Sequence, residues 1–145
     1  RTGPRADQRP AEHRRQCARH RHKARRQAWT AGVENPWGDD PAYIQAVELA
    51  DGDSLVISGD YQRYFEYDGV RYAHLIDLTT GYPARYVSSV AVLARADTGG
   101  LADALSTGLF CLPEETGQAL AAQNHYAVLW MHPDETTSRS ADWPQ

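Results

Sequence analysis

Residues 1–26 contain no Val, Ile, Leu, Met, Phe, Tyr or Trp, and they carry nine Arg and one Lys against only Asp7 and Glu12. A segment with nothing apolar to bury cannot offset the entropy of its own ordering. Any packed core must therefore come from the rest of the 145-residue chain. Charge changes sign at the same place. Ten basic against two acidic side chains give +8 up to residue 26, and five against 17 give −12 from residue 27 onward. We read 1–27 as an Arg-rich segment that is disordered or non-native, 28–132 as the folded part, and 133–145 as a loose polar tail.

Three readings fit residues 1–26. They are a basic arm for nucleic acid, since arginines neutralise phosphates; a plain solvated tail; or a GC-rich coding sequence read out of frame, which yields Arg, Ala, Pro, Gly and His. The His20-x-His22 pair has no further ordered ligand nearby in sequence, so it does not define a metal site. Cys17 and Cys111 form no CxxC, which removes a zinc motif. Cys111 lies in an apolar helical pattern and reads as a buried, inert thiol. No apolar run approaches the ~20 residues that a membrane helix requires, so no transmembrane segment is expected within the chain.

From Trp29 the pattern becomes that of a folded domain. Alternation over Trp29–Val33, Tyr43–Leu49 and Leu55–Ile57 predicts three strands. Gln62–Tyr67 and Val70–His74 flank Asp68-Gly69, a two-residue hairpin turn whose tight geometry needs positive φ at both positions. Val87–Ala94 and Tyr126–Met131 read as further strands, with helices over Gly100–Leu112 and Glu114–Ala122 parted by Pro113. Strands, then a helical pair, then a strand indicate an α+β fold: a mixed or antiparallel sheet with the helical pair on one face.

Three segments carry candidate chemistry. On the first helix, Leu101, Leu105, Leu109 and Leu112 share one face, predicted to pack on the sheet. Asp103 and Thr107, at i and i+4, lie nearly opposite. Two hard oxygens one turn apart suit Mg2+, and they equally suit a solvated face. Next, His74-Leu75-Ile76-Asp77 runs into Thr79-Thr80-Gly81-Tyr82-Pro83. Thr80 and Gly81 there can offer a hydroxyl and backbone N–H groups to an anion, or Asp77 and the threonines only shape a turn. The third is Ser58-Gly59-Asp60-Tyr61 with Arg63, Tyr64 and Phe65. Gly59 permits close approach of a ligand, and the aromatics can stack on a flat ring or pack within a hairpin.

Taken in order, these segments (Ser58-Gly59-Asp60-Tyr61-x-Arg63-Tyr64-Phe65, Tyr72-x-His74-Leu75-Ile76-Asp77-x-x-Thr80-Gly81-Tyr82-Pro83, and Ala102-Asp103-Ala104-Leu105-Ser106-Thr107) resemble the C-terminal signature of the ApbE-type flavin transferases. The likeness covers about residues 28–132. It implies an FAD:protein FMN transferase, which moves FMN from FAD to a Ser or Thr hydroxyl of a target flavoprotein, with Mg2+ present and AMP released. By position it implies that Asp103 and Thr107 ligate Mg2+. Ser58, Gly59, His74, Leu75, Thr80 and Gly81 would contact FAD, and His74 is a candidate to deprotonate the incoming hydroxyl. The implied partners are FAD and an acceptor flavoprotein, with no nucleic acid. The family's compartments are the periplasmic side of the bacterial inner membrane or the cytoplasm.

Two departures stand out. Leu78 and Thr79 occupy positions where the family has proline and a basic residue. The Arg-rich stretch stands where a Gly-rich apolar stretch is expected before Trp29, which favours the out-of-frame reading over a functional arm. The family is also roughly twice as long, so the chain is expected to be the C-terminal portion of a transferase and inactive alone. The alternative is a non-catalytic domain whose basic arm binds nucleic acid or an acidic partner.

Overall fold

The strand Ser89–Ala94 is apolar almost throughout and buried on both of its faces. A continuous apolar run of this kind belongs in the centre of a layered fold rather than at its surface. The computed structural model, which describes residues 28–95 and 98–145, places it there. The Arg-rich segment, Cys17, His20 and His22 lie outside the described residues.

In chain order the elements are β1 (Trp29–Glu34), β2 (Tyr43–Leu49), β3 (Ser54–Gly59), β4 (Tyr64–Tyr67), β5 (Val70–Ala73), β6 (Ser89–Ala94), α1 (Gly99–Phe110), α2 (Glu114–Asn124), β7 (Ala127–Met131) and β8 (Thr137–Arg139). The main sheet is antiparallel in the order β3-β6-β7-β8, and β1–β2 and β4–β5 are separate antiparallel pairs. The expected α+β architecture, with an antiparallel sheet and two helices, is present.

Side chains alternate across the main sheet as the period of two requires. Val90, Val92, Val128 and Trp130 point to one side, where they meet Ala102, Leu109 and Phe110 of α1 and Ala121 of α2. Ala91, Leu93, Leu129 and Met131 point to the other, where Val33, Val47, Leu49 and Trp143 cover them. The result is three layers: helices, central sheet, and the β1–β2 pair. The β4–β5 hairpin turns at Asp68 and Gly69 with φ of 51° and 71°, the positive pair that its sequence demands.

Two expectations are corrected. The loose tail is ordered: β8 pairs with β7, and Trp143 is 2% exposed with its Nε1 donating to Gln45 Oε1 at 2.9 Å. The leucine stripe is not the packed face of α1. Ala102, Ser106, Leu109 and Phe110 are buried, whereas Leu101 is 51% exposed. At about 100° per residue, the helix is turned by roughly 90° from the orientation that its leucines predict. Small side chains are the reason, because Ala102 and Ser106 let the helix settle close on β3 and β6. Gly99 continues that close contact, since a Cβ there would sit 2.7 Å from Ser54 Oγ.

Candidate active site

The rotation of α1 assembles the site. It moves Asp103 and Thr107 from the far side of the helix to its flank, beside the end of β3. Both side chains remain exposed and lie about 40° apart around the axis, as i and i+4 must. Ser58, next to last in β3, has its Oγ 2.8 Å from Ser106 Oγ and 3.4 Å from Thr107 Oγ1. The Ser-Gly-Asp turn and the Ala-Asp helix, 40-odd residues apart in sequence, therefore meet. Ser106 is fully buried, and its hydroxyl donates to the Asp103 carbonyl at 3.0 Å.

Gly59 pairs with Ser89 at the end of β3. A Cβ at Gly59 would lie 2.5 Å from the Tyr61 ring, so the residue lets its own neighbour fold back over it. Tyr61 donates to Glu34 at 3.0 Å, and burial, helped by that carboxylate, pushes its phenol well above the usual range. Asp60 donates its backbone N–H to the Ser88 carbonyl at 3.0 Å, and its carboxylate lies 3.6 Å from the Arg71 guanidinium. Burial pushes the Asp60 carboxyl up, and Arg71 offsets part of that rise.

His74 follows β5 and is exposed. Its backbone N–H and its Nδ1 both face the Arg63 carbonyl, at 3.2 and 3.1 Å. Leu75 is half-buried and packs against the helix-side core. Beyond it, Asp77 is 5% exposed and organises the whole loop. It accepts from the Thr79 N–H at 2.8 Å, the Tyr86 hydroxyl at 3.0 Å and the Thr80 hydroxyl at 3.2 Å. The Thr79 N–H, followed by the two hydroxyls, holds its carboxyl below the ordinary range.

Gly81 adopts φ of +73° and donates its N–H to the Asp77 carbonyl at 2.8 Å. The Thr80 hydroxyl and the Gly81 N–H, read from sequence as anion donors, are thus both turned inward on Asp77. Their observed role is to shape the turn. This loop abuts the C-terminal end of α1: Asp77 is close enough to Cys111 that its charge, after burial, raises the thiol. Cys111 is accordingly a poor thiolate former, as its apolar setting predicts.

The aromatic side chains of the hairpin are used within it. Phe65 stacks on Tyr72 with ring centroids 5.0 Å apart, and the Arg71 guanidinium sits 4.4 Å above the Tyr64 ring. Sequence reasoning gave no role to Ser106 or Tyr86, and it allowed Asp77 only the turn-shaping role that the hydrogen bonds give it. Ser106 carried one usable signal: a small polar side chain between apolar positions of a helix, which must find a partner if buried.

Could this donor set hold a metal? Among the described residues there is no group of three or more His, Cys, Asp or Glu side chains arranged for one. An ion between Asp103 and Thr107 would take its remaining ligands from water and phosphate, which is how Mg2+ is commonly held. A carboxylate and a hydroxyl are hard oxygens that suit it, so the residues fit the group.

Comparison with known proteins gives the chain a family and a fold. The model of the ApbE family matches residues 17–130, so the match begins before Trp29 and includes positions outside the described residues. An FAD:protein FMN transferase from Vibrio cholerae is 43% identical over 102 residues, covering 70% of this chain and 30% of that protein. An FAD:protein FMN transferase from Treponema pallidum is 40% identical over 120 residues, covering 81% and 32%. The crystal structure of the ApbE protein from Thermotoga maritima superposes with a TM-score of 0.69 at 39% identity, covering 80% of this chain and 37% of that one. The chain spans about a third of the length of the relatives it matches.

Proposed function

The chain belongs to the ApbE family, and on that premise we propose that its folded part supplies the metal-binding and flavin-facing wall of an FAD:protein FMN transferase. The reaction is phosphoryl-centred. A Ser or Thr hydroxyl oxygen of an acceptor flavoprotein attacks the FMN-side phosphorus of FAD. The bond from that phosphorus to the bridging oxygen breaks, and AMP leaves with the bond's electron pair. The acceptor's proton passes to a base, and FMN remains on the acceptor as a phosphoester.

Residues of this chain take separable roles in the reading. Asp103 and Thr107 ligate Mg2+. The bound ion would neutralise the pyrophosphate and stabilise charge at the reacting phosphorus. His74 receives the acceptor proton on Nε2, because its Nδ1 already faces the Arg63 carbonyl. Ser58, Gly59 and the loop from Leu75 to Gly81 form the wall against which FAD lies. Thr80 and Gly81 contribute by holding the loop's shape rather than by donating to phosphate.

The observation that carries the reading is the meeting of Ser58 with Ser106 and Thr107. It joins two of the three motif segments at one point, with hard oxygens facing outward. The test is transfer itself. FAD, Mg2+ and an acceptor flavoprotein are incubated with a full-length family member carrying this sequence, and covalent flavin fluorescence is read on the acceptor band. Transfer that is lost in Asp103→Ala is expected, and transfer undiminished by that change contradicts the metal assignment. The chain covers only about a third of the length of the relatives it matches, so we expect the 145-residue chain alone to give no labelled acceptor.

A further inference from the structure

We propose that Ser58 and Ser106 are positioning residues: their hydroxyls form a one-way hydrogen-bond chain that turns the Thr107 lone pairs outward, toward a divalent cation. The proposal rests on the reading of Asp103 and Thr107 as that cation's ligands.

The direction of the chain follows from counting protons. The Asp103 carbonyl can only accept, so at 3.0 Å the Ser106 hydroxyl donates to it. A hydroxyl has one proton. With that proton engaged, Ser106 Oγ accepts from Ser58 Oγ at 2.8 Å. Ser58 has then used its own proton, and its Oγ accepts from Thr107 Oγ1, 3.4 Å away. That last contact is longer than the usual O–H···O separation of about 2.7–2.8 Å, so it biases the Thr107 rotor rather than locking it.

A threonine in a helix can instead donate to the carbonyl three or four residues earlier, but the contact that Thr107 Oγ1 makes is with Ser58 Oγ. The carbonyl four residues earlier is Asp103's. It already receives the Ser106 hydroxyl and, from the helix ladder, the Thr107 amide. Both of its lone pairs are taken. Ser106 is also fully buried, so water does not compete for the chain's inner end. The Thr107 proton therefore points inward and its lone pairs point out. A hydroxyl ligates a cation through a lone pair, so the chain presets Thr107 for that task.

The roles of the serines differ from plain packing, and a double-mutant cycle separates the two. Mn2+ is titrated into the 145-residue chain in the presence of FAD, with free ion followed by paramagnetic resonance. The chains compared are the unaltered one, Asp103→Ala, Thr107→Val, Ser58→Ala, Ser58→Thr and the pair Ser58→Ala with Thr107→Val. Ser58→Ala is expected to weaken Mn2+ binding by about 3- to 10-fold, the worth of one net hydrogen bond. Ser58→Thr, which keeps the hydroxyl, is expected to restore it. Once Thr107 is Val, Ser58→Ala is expected to cause no further loss.

Equal losses from Ser58→Ala in both backgrounds overturn the proposal, as does no loss in either while Asp103→Ala and Thr107→Val still weaken binding. Mn2+ binding that is absent from the unaltered chain, or indifferent to Asp103→Ala and Thr107→Val, overturns the underlying metal reading and the chain of hydroxyls with it. Melting temperatures taken without cation show whether each variant is folded. Ser58→Thr keeps the test decisive if Ser58→Ala is not.

Discussion

Nδ1 of His74 lies 3.1 Å from the carbonyl oxygen of Arg63. A carbonyl only accepts, so in the neutral ring the proton resides on Nδ1 and the lone pair is on Nε2. The backbone of the β4–β5 hairpin thus selects the imidazole tautomer, and the exposed ring presents its basic nitrogen away from that contact.

If Nε2 takes the acceptor's proton, His74→Ala in a full-length family member lowers the FMN-transfer rate by about 10²- to 10⁴-fold, the usual worth of a positioned base. Added imidazole is expected to restore part of it. A rate unchanged by the substitution, measured by fluorescence of the labelled acceptor, removes the base role.

Asp77 holds the loop after His74 through three donors, and its carboxyl lies below the ordinary value of 3.8. A depressed carboxyl contributes stability that is present above its unfolded value and is lost as pH falls through the folded one. Asp77→Asn should lower the melting temperature at neutral pH. It should also flatten the part of the acid limb that lies below about pH 4. Parallel acid limbs in the two proteins would show that the carboxylate contributes nothing there.

Gly81 has φ of +73° and open space where a Cβ would sit. Gly81→Ala therefore isolates the backbone cost, about 1–2 kcal/mol of unfolding free energy. Gly38 has equally open space and no positive φ, so Gly38→Ala is the control, expected to be near neutral in the same denaturant titration.

Trp143 closes the sheet layer opposite the helices. Trp143→Ala should cost about 3–5 kcal/mol, the range for deleting a buried aromatic side chain, read as a lower denaturant midpoint. A change within experimental error would return residues 133–145 to the status of a dispensable tail.

Much of the fold was legible because local rules and the final packing agree. Asp68-Gly69 demanded its turn. Val87–Ala94 read as a strand, which the structure has over Ser89–Ala94, and Pro113 parted the helices. The misses have physical causes. Thr137–Arg139 is short and polar, and it becomes a strand only because β7 offers a free edge; its anchor, Trp143, lies beyond it in sequence. In α1 the leucine count outweighed the small residues. Leucines mark where apolar surface is largest, but Ala102 and Ser106 mark where a helix can approach a sheet most closely, and close approach won. The site inherits the same lesson. Asp103 and Thr107 were visible by spacing, whereas the buried hydroxyl of Ser106 gains meaning only when Ser58 arrives from another strand.

Asp103 and Thr107 are proposed to share one divalent cation at the flank of α1. Anomalous diffraction from crystals of the chain soaked with Mn2+ and FAD tests it directly. A single strong peak is expected within coordination distance of both an Asp103 carboxylate oxygen and Thr107 Oγ1, lost in Asp103→Ala crystals. A well-ordered α1 with no peak between those two side chains, or with the peak elsewhere, would contradict it.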